Sequence, residues 1–346
     1  MKRILWLAVL AALACGYAFA QVVATGLDNP RGIAFDDGGV MYVVEAGRGG
    51  AGPCVPVSNG TTSCYGPTGA LTRVEGGVQK RVLVGLPSLA APAGTSATGP
   101  HDIAIQNKNN VYLTVGLGAP PARRQQLGAV GNLFGQLIRA NIPSGQWTPE
   151  TDISAHEQET NPDGGALDSN PYGILKSGLS YIVADAGANA VLDVHPNHKI
   201  DTVAVFPNLP TTPPRQAVPT SVVIGPDGAY YVGLLTGGPF GVGLAEVLRV
   251  IPGQAPVVVV SGLTNVVDIA FRPQDGLLYV LEIAANGIPN FGTGALLRIA
   301  ANGSKSVVAA NLFAPGGLAF GPDGAAYVSV NSILPGAGAV VRTPIP

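Results

Sequence analysis

The stretch Pro315-Gly-Gly-Leu-Ala-Phe-Gly-Pro-Asp-Gly-Ala-Ala-Tyr-Val328 reads as an apolar strand, a Pro-Asp-Gly turn and a second apolar strand. The same phrase starts at Pro30 (PRGIAFDDGGVMYV), Pro100 (PHDIAIQNKNNVYL) and Pro219 (PTSVVIGPDGAYYV). A fifth copy starts at Val266 (VVDIAFRPQDGLLYV) and a degenerate one at Pro171 (PYGILKSGLSYIV). With Ile182 filling the aromatic slot, that slot recurs at Tyr42, Tyr112, Ile182, Tyr231, Tyr279 and Tyr327, at spacings of 70, 70, 49, 48 and 48 residues. Self-similarity on this scale, built from short strands alone, predicts an all-β fold, a six-bladed β-propeller. A length of 346 residues would otherwise suggest two domains. One blade cannot bury both of its faces, so the repeat predicts a single domain over residues 21–346.

A third strand follows each hairpin and carries its own phrase. It appears as Ala70-Leu-Thr-Arg-Val74, Gln136-Leu-Ile-Arg-Ala140, Glu246-Val-Leu-Arg-Val250, Ala295-Leu-Leu-Arg-Ile299 and Ala339-Val-Val-Arg-Thr343, with Asp193 in place of arginine in Ala190-Val-Leu-Asp-Val194. An arginine that recurs in this way reads as scaffold. Outer strands are expected at Lys80–Gly85, Ile200–Phe206, Pro256–Ser261 and Ser306–Ala310. The last blade has no outer strand of its own. The segment Gln21-Val-Val-Ala-Thr-Gly26 resembles one, so the N-terminal strand is expected to complete blade six and close the ring.

Composition limits the function classes. Hydrophobic residues make up 47% of the chain and charged ones 12%, with 48 glycines and 30 prolines, as tight turns between apolar strands require. A net charge of −2 leaves no electrostatic footprint for nucleic acid. Residues 1–20 have the form of a secretory signal peptide: Lys2 and Arg3, an apolar run from Ile4 to Ala14, and Ala18-Phe19-Ala20 before Gln21. Lipoprotein cleavage at Cys15 is the weaker alternative, because Leu13 stands where a smaller residue is expected. No further apolar run is long enough to span a bilayer, so a secreted, extracellular or periplasmic protein is expected rather than a transmembrane one. Cys54 and Cys64 then remain in an oxidising setting and read as a disulfide, with a reactive thiol pair as the alternative.

Comparing the copies inside this one chain separates scaffold from exceptions. Two places after the proline of the first strand stand Gly32, Asp102, Gly173, Ser221, Asp268 and Gly317. Small residues suit a crowded channel mouth, and two aspartates do not. One place earlier stand Arg31, His101 and Tyr172, and the second strands end in Glu45, Asp185 and Glu282. These eight residues (Arg31, Glu45, His101, Asp102, Tyr172, Asp185, Asp268 and Glu282) are the candidates for a ligand site. The alternatives are carboxylates that cap loop amides, a metal site, or catalysis. Asp102 and Asp268, in opposite blades, are expected to stand too far apart to share one ion and to grip opposite ends of a polar ligand or water cluster. Exchanging both for asparagine is then expected to leave folding nearly unchanged.

Three long segments, Ala46–Gly69, Gly116–Asn132 and Ile142–Asn170, fall on the face carrying those positions, where a small-molecule or protein partner is expected. The last holds Glu150, Asp152, Glu157, Glu159, Asp163 and Asp168 without a lysine or arginine. Asp152 is placed to cap a short helix ending near Asn161-Pro162. Asp163, Asp168 and Asn170 are weak metal candidates, with Ca²⁺ the cofactor such an oxygen-rich loop would hold, and Arg123 and Arg124 on the neighbouring insertion are the alternative partners. Gly47-Arg-Gly-Gly-Ala-Gly52 matches a dinucleotide fingerprint, but Pro53 and a cysteine-bracketed loop follow where a helix must open.

Cys64-Tyr-Gly-Pro-Thr-Gly69, Gly99-Pro-His-Asp102, Asn161-Pro-Asp-Gly-Gly165, Asp168-Ser-Asn-Pro-Tyr-Gly173, Asp185-Ala-Gly187, Pro226-Asp-Gly228 and Tyr279-Val-Leu-Glu282 together resemble the ScyD/ScyE family of exported bacterial propellers. That resemblance implies the fold more firmly than a reaction. More distantly the architecture is similar to NHL and SMP-30-like propellers, the sugar-lactone hydrolases and strictosidine-synthase-like proteins. The lactonases hold a metal through a glutamate, an asparagine and an aspartate, and the glutamate position at the first strand is Arg31 here. The expectation is a non-catalytic binding or accessory protein. A metal-assisted hydrolase, with His101 as base and Asp102, Asp268 and Glu45 as ligands, is the alternative, and a quinone-dependent sugar dehydrogenase a distant third.

Overall fold

In the computed structural model, which describes residues 20–58 and 60–345, six antiparallel sheets stand around one axis. Their innermost strands are, in chain order, Pro30–Phe35, Pro100–Asn107, Pro171–Ser177, Pro219–Ile224, Val266–Phe271 and Gly317–Phe320. Each packs against the next and the last against the first, so the ring is closed. The expected signal peptide, Cys15 included, lies outside the described residues apart from Ala20. No helix among the described residues is long and apolar enough to cross a membrane.

Sheet six shows how the ring closes. Its strand order is Gln21–Leu27, Gly338–Thr343, Ala326–Val330, Gly317–Phe320, so the outer strand comes from the other end of the chain. Gln21 pairs with Arg342 and Leu27 with Gly338.

The repeated letters hold the same places in every blade. The aromatic slot lies opposite the third-strand arginine, as in Tyr42 with Arg73, Tyr112 with Arg139 and Tyr279 with Arg298; Ile182 faces Asp193 in the same register. Below them the turn aspartate gathers the blade. Asp323 accepts from Arg342 Nε at 2.6 Å and Tyr327 Oη at 3.2 Å, and Asp227 accepts from Arg249 Nε at 2.6 Å. Aromatic edges join neighbouring blades: Phe35 meets Tyr327, Phe271 meets Tyr231 and Phe320 meets Tyr279, each with ring centres 4.9 Å apart. Between blades two and three Tyr181, on the other face of its strand from Ile182, stacks on Tyr112 at 4.1 Å.

The insertions build a wall on one side. In blade one the third and fourth strands, Thr62–Glu75 and Val78–Ala90, run well past the blade, and Cys54–Pro56 adds a fifth strand with Cys54 bonded to Cys64. The outer strand expected at Lys80–Gly85 is therefore the middle of a longer one. In blade two the insertion holds a 3-10 segment, Pro121–Leu133, kinked at Gly128. Its outer strand, Gln146–Asp152, lies inside what sequence treats as a connecting segment. The expected helix follows as Ile153–Thr160, with Asp152 accepting from Ala155 N at 2.9 Å and Asn161 as its left-handed C-cap.

Candidate functional site

A bulge opens the innermost strand of blades one to five, as the register shifts after Pro30, Pro100, Pro171, Pro219 and Val266 show. A bulge interrupts alternation and re-aims side chains, which lets consecutive residues such as His101 and Asp102 face the axis together. Among the candidates, the structure gathers Arg31, His101, Asp102, Tyr172 and Asp268 at this level. Gly32, His101, Asp102, Tyr172, Val267 and Asp268 line a cavity of only about 10 Å³, room for one water at most. Tyr172 closes it by reaching from blade three to the apolar cluster of blades five and six, which includes Val267. A side chain at Gly32 would overlap Asp102 Oδ1, which accounts for glycine there.

Both aspartates join blades. Asp102 accepts from Ile103 N at 2.8 Å through Oδ1 and from Ile174 N of blade three at 2.9 Å through Oδ2. Asp268 accepts from Ser221 Oγ of blade four at 2.6 Å and Ile269 N at 2.8 Å through Oδ1, and from Leu318 N of blade six at 2.7 Å through Oδ2. Burial pushes the Asp102 carboxyl up to about 8, and the charge of Asp268 adds to that rise. Burial likewise lifts Asp268 to about 6, against its hydrogen bonds. The two face one small space. With Tyr172 packed across it, this space is too small for the polar ligand expected between the two aspartates and leaves room for the bound water that was the other expectation.

His101 lies 3% exposed against Tyr172, with ring centres 4.3 Å apart. Its Nδ1 stands 3.1 Å from Pro171 O. A carbonyl only accepts, so Nδ1 carries the proton and Nε2 the lone pair. Burial, with the Arg31 guanidinium beside it, drives the imidazole down to about 3, so the ring is neutral at physiological pH. Arg31 spans neighbouring loops, donating to Ser332 O and to Ala97 O at 2.9 Å. Burial raises the Tyr172 phenol above its usual range.

Glu45, Asp185 and Glu282 stand apart from this group, where the second strands of blades one, three and five end. Each holds the loop leading into its own blade. Glu45 accepts from Asp28 N at 2.7 Å, from Thr72 Oγ1 at 2.6 Å and from both Arg81 Nε (2.9 Å) and Nη2 (2.6 Å). Asp185 accepts from Asn170 N at 2.6 Å, Ser169 Oγ at 2.7 Å and Gly187 N at 3.0 Å, and burial raises its pKa. Glu282 accepts from Thr264 N at 2.7 Å, and burial raises it too. The matching positions in blades two, four and six are Val115, Leu234 and Val330.

The weak metal candidates separate. Asp163 is engaged on both oxygens, by Gly165 N at 2.7 Å and Asn189 Nδ2 at 2.8 Å. Asn170 Oδ1 crowds the same side of Gly116 as the His101 ring, at the channel mouth. Asp168 keeps Oδ1 buried and without a partner while Oδ2 accepts from Ser58. Sequence missed Glu157, which the helix buries to 1% exposure with Oε2 unpartnered. Its only sequence signal was membership of the acidic run. Arg124 pairs with Asp152 at 2.8 Å, while Arg123 donates to Pro56 O at 2.6 Å.

No family profile and no curated protein sequence matches this chain. Similar solved structures include a streptogramin B lyase, with a TM-score of 0.51 and 13% identity over 94% of this chain and 98% of the other. A virginiamycin B lyase from Staphylococcus aureus solved with quinupristin gives 0.51 and 14% over 94% and 99%. A candidate gluconolactonase gives 0.54 and 10% over 94% and 91%. At these identities the likeness shows the propeller fold alone.

Proposed function

We propose that this chain is an exported, non-catalytic binding or accessory propeller whose insertion wall holds a polar small molecule or a protein segment. The observation that carries this reading is a cleft of about 750 Å³ between the 3-10 segment and the helix of blade two. Arg124, Gln125, Asn132, Gln158 and Glu159 line it, beside Pro121. The volume is that of ordinary ligand clefts, and the amide side chains offer both donors and acceptors. Such a lining suits a neutral, hydroxyl- or amide-rich ligand, such as a saccharide or a peptide. Export and kinship with ScyD/ScyE are part of the same proposal; the Cys54–Cys64 disulfide supports the first.

The hydrolase alternative needs carboxylate oxygens and a base at liberty to act. Every carboxylate oxygen of Asp102, Asp268 and Glu45 already accepts from a protein donor. His101 sits in a space too small for a substrate.

The test is a thermal-shift and calorimetric screen of saccharides and short peptides against the exported protein and its Gln125→Ala/Gln158→Ala variant. Binding that the variant loses while its melting temperature is kept supports the proposal. Binding unchanged in the variant, or lactone turnover abolished by His101→Gln, would overturn it.

A further inference from the structure

The sharpest unexplained chemistry lies beneath the helix of blade two, away from the channel and behind the cleft. Glu157, 1% exposed, has Oε2 shielded from solvent and without a donor. Its other oxygen faces Asp168 N at 3.4 Å, so the carboxylate is turned into the loop that follows the helix. On that loop Asp168 Oδ1 and Asn161 Oδ1 are also buried without a donor. An acceptor oxygen left bare inside a protein costs about 1–3 kcal/mol, and more when charged. A fourth bare oxygen, Asn170 Oδ1, turns to Gly116 and the His101 ring; the other three call for a common partner.

The charged surroundings favour a cation. Asp163 and Asp168 from the loop and Asp185 from blade three stand near enough to Glu157 to act on it, so the segment is dense in negative charge. Asp168 also has Asp185 near it, with Ser58 Oγ donating to its Oδ2 and the backbone of Ser169 beside it. Arg123 of the neighbouring insertion acts on Asp168, but its Nη1 donates to Pro56 O.

We propose that Glu157 Oε2, Asp168 Oδ1 and Asn161 Oδ1 are ligands of one Ca²⁺ ion, which ties the helix to the loop that follows it. No three His, Cys, Asp or Glu side chains among the described residues form a metal group of their own, so the site rests on two carboxylates completed by neutral oxygens. An all-oxygen set selects a hard cation. Two carboxylates match a double charge, and Ca²⁺ accepts irregular coordination by amide and backbone oxygens. Mg²⁺ insists on a near-ideal octahedron, which oxygens from a helix and an irregular loop do not offer. The ion would supply the partner that the three oxygens lack and hold the back of the cleft.

The test uses the whole exported protein, stripped with chelator and dialysed. Equilibrium dialysis with metal analysis should find about one Ca²⁺ per chain. The melting temperature should rise by about 5 °C when Ca²⁺ is a hundredfold above its Kd, and Mg²⁺ at the same concentration should give less than half that rise. Glu157→Gln and Asp168→Asn should each lose the calcium response, while Glu159→Gln, on the cleft side of the helix, should keep it. No calcium bound, an equal response to Mg²⁺, or a response surviving in both variants would overturn the proposal. So would a stripped protein that is stabilised on acidification to the same level as by calcium, since a proton shared by Glu157 and Asp168 would then satisfy the pair. Calcium binding without ligand binding in the cleft would sink the proposed function and leave this site standing.

Discussion

Asp102 stands where four of the six blades have glycine or serine, and its two oxygens are spent on amides of two blades. Held up to about 8, the carboxyl is mostly protonated at neutral pH, but its hydroxyl can still accept from an amide with the hydrogen turned aside, whereas asparagine keeps one acceptor and turns an N–H toward an N–H at the other. Asp102→Asn is therefore expected to cost about 1–3 kcal/mol in a urea melt at neutral pH, in place of the silent exchange expected from sequence. A loss below about 0.5 kcal/mol would show that the inter-blade bond carries little. The pH dependence follows from the raised pKa values. A carboxyl that holds its proton more tightly folded than unfolded stabilises most below its unfolded pKa of about 3.9. That stability is lost as pH rises toward the folded value, about 8 for Asp102 and about 6 for Asp268. His101 acts in the opposite sense: buried neutral, it costs stability as pH falls from roughly 6.5 toward about 3. The wild-type curve mixes these, so the difference from Asp102→Asn is the useful quantity. The stability gap between the two proteins should shrink steadily between pH 4 and 8, and a constant gap would mean that Asp102 ionises as an ordinary carboxylate. None of this was legible in the letters, which mark Asp102 and Asp268 as exceptions but hide their partners, because Ile174 and Leu318 offer only backbone.

At the scale of elements, legibility followed the side-chain pattern. Strands with a repeated apolar phrase were found, and Gln146–Asp152 was not, since QWTPETD has no alternation and forms a strand because the edge of Gln136–Asn141 offers it a ladder. The blade-one arm shows the same limit: its pairing continues from Glu75 with Val78 out to Cys64 with Ala90, and Val55, Leu86 and Leu89 on it are buried in one apolar cluster with Leu71 and Leu113. The disulfide sits at the far end of that arm and closes a loop of sequence separation 10. In the chain-entropy account such a closure is worth about 2–3 kcal/mol, acting on the arm and not on the ring. Cys54→Ser/Cys64→Ser should leave the main unfolding transition within a few degrees of the parent. Amide exchange and proteolytic nicking between Gly52 and Tyr65 should rise at least tenfold. A protein that no longer melts cooperatively would place the disulfide among the elements that hold the propeller together.

For the whole molecule the decisive contact is the ladder between Gln21–Leu27 and Gly338–Thr343. Deleting residues 21–27 removes the outer strand of blade six and uncovers the edge of Gly338–Thr343. The expected outcome is a melting temperature lower by more than about 10 °C, with concentration-dependent association through the bare edge. A deletion variant that stays monomeric and melts like the parent would mean that the ring is held by its inner strands alone. That ladder also sets a clock. At synthesis rates of about 5–20 residues per second, the strand Gln21–Leu27 emerges roughly 15–60 s before Gly338–Thr343 exists. Throughout that interval an edge with an apolar face waits without a partner. A nascent chain of this protein should therefore depend on holding factors for most of its synthesis, and a ribosome that stalls anywhere before Gly338 releases a chain with no route to the finished ring.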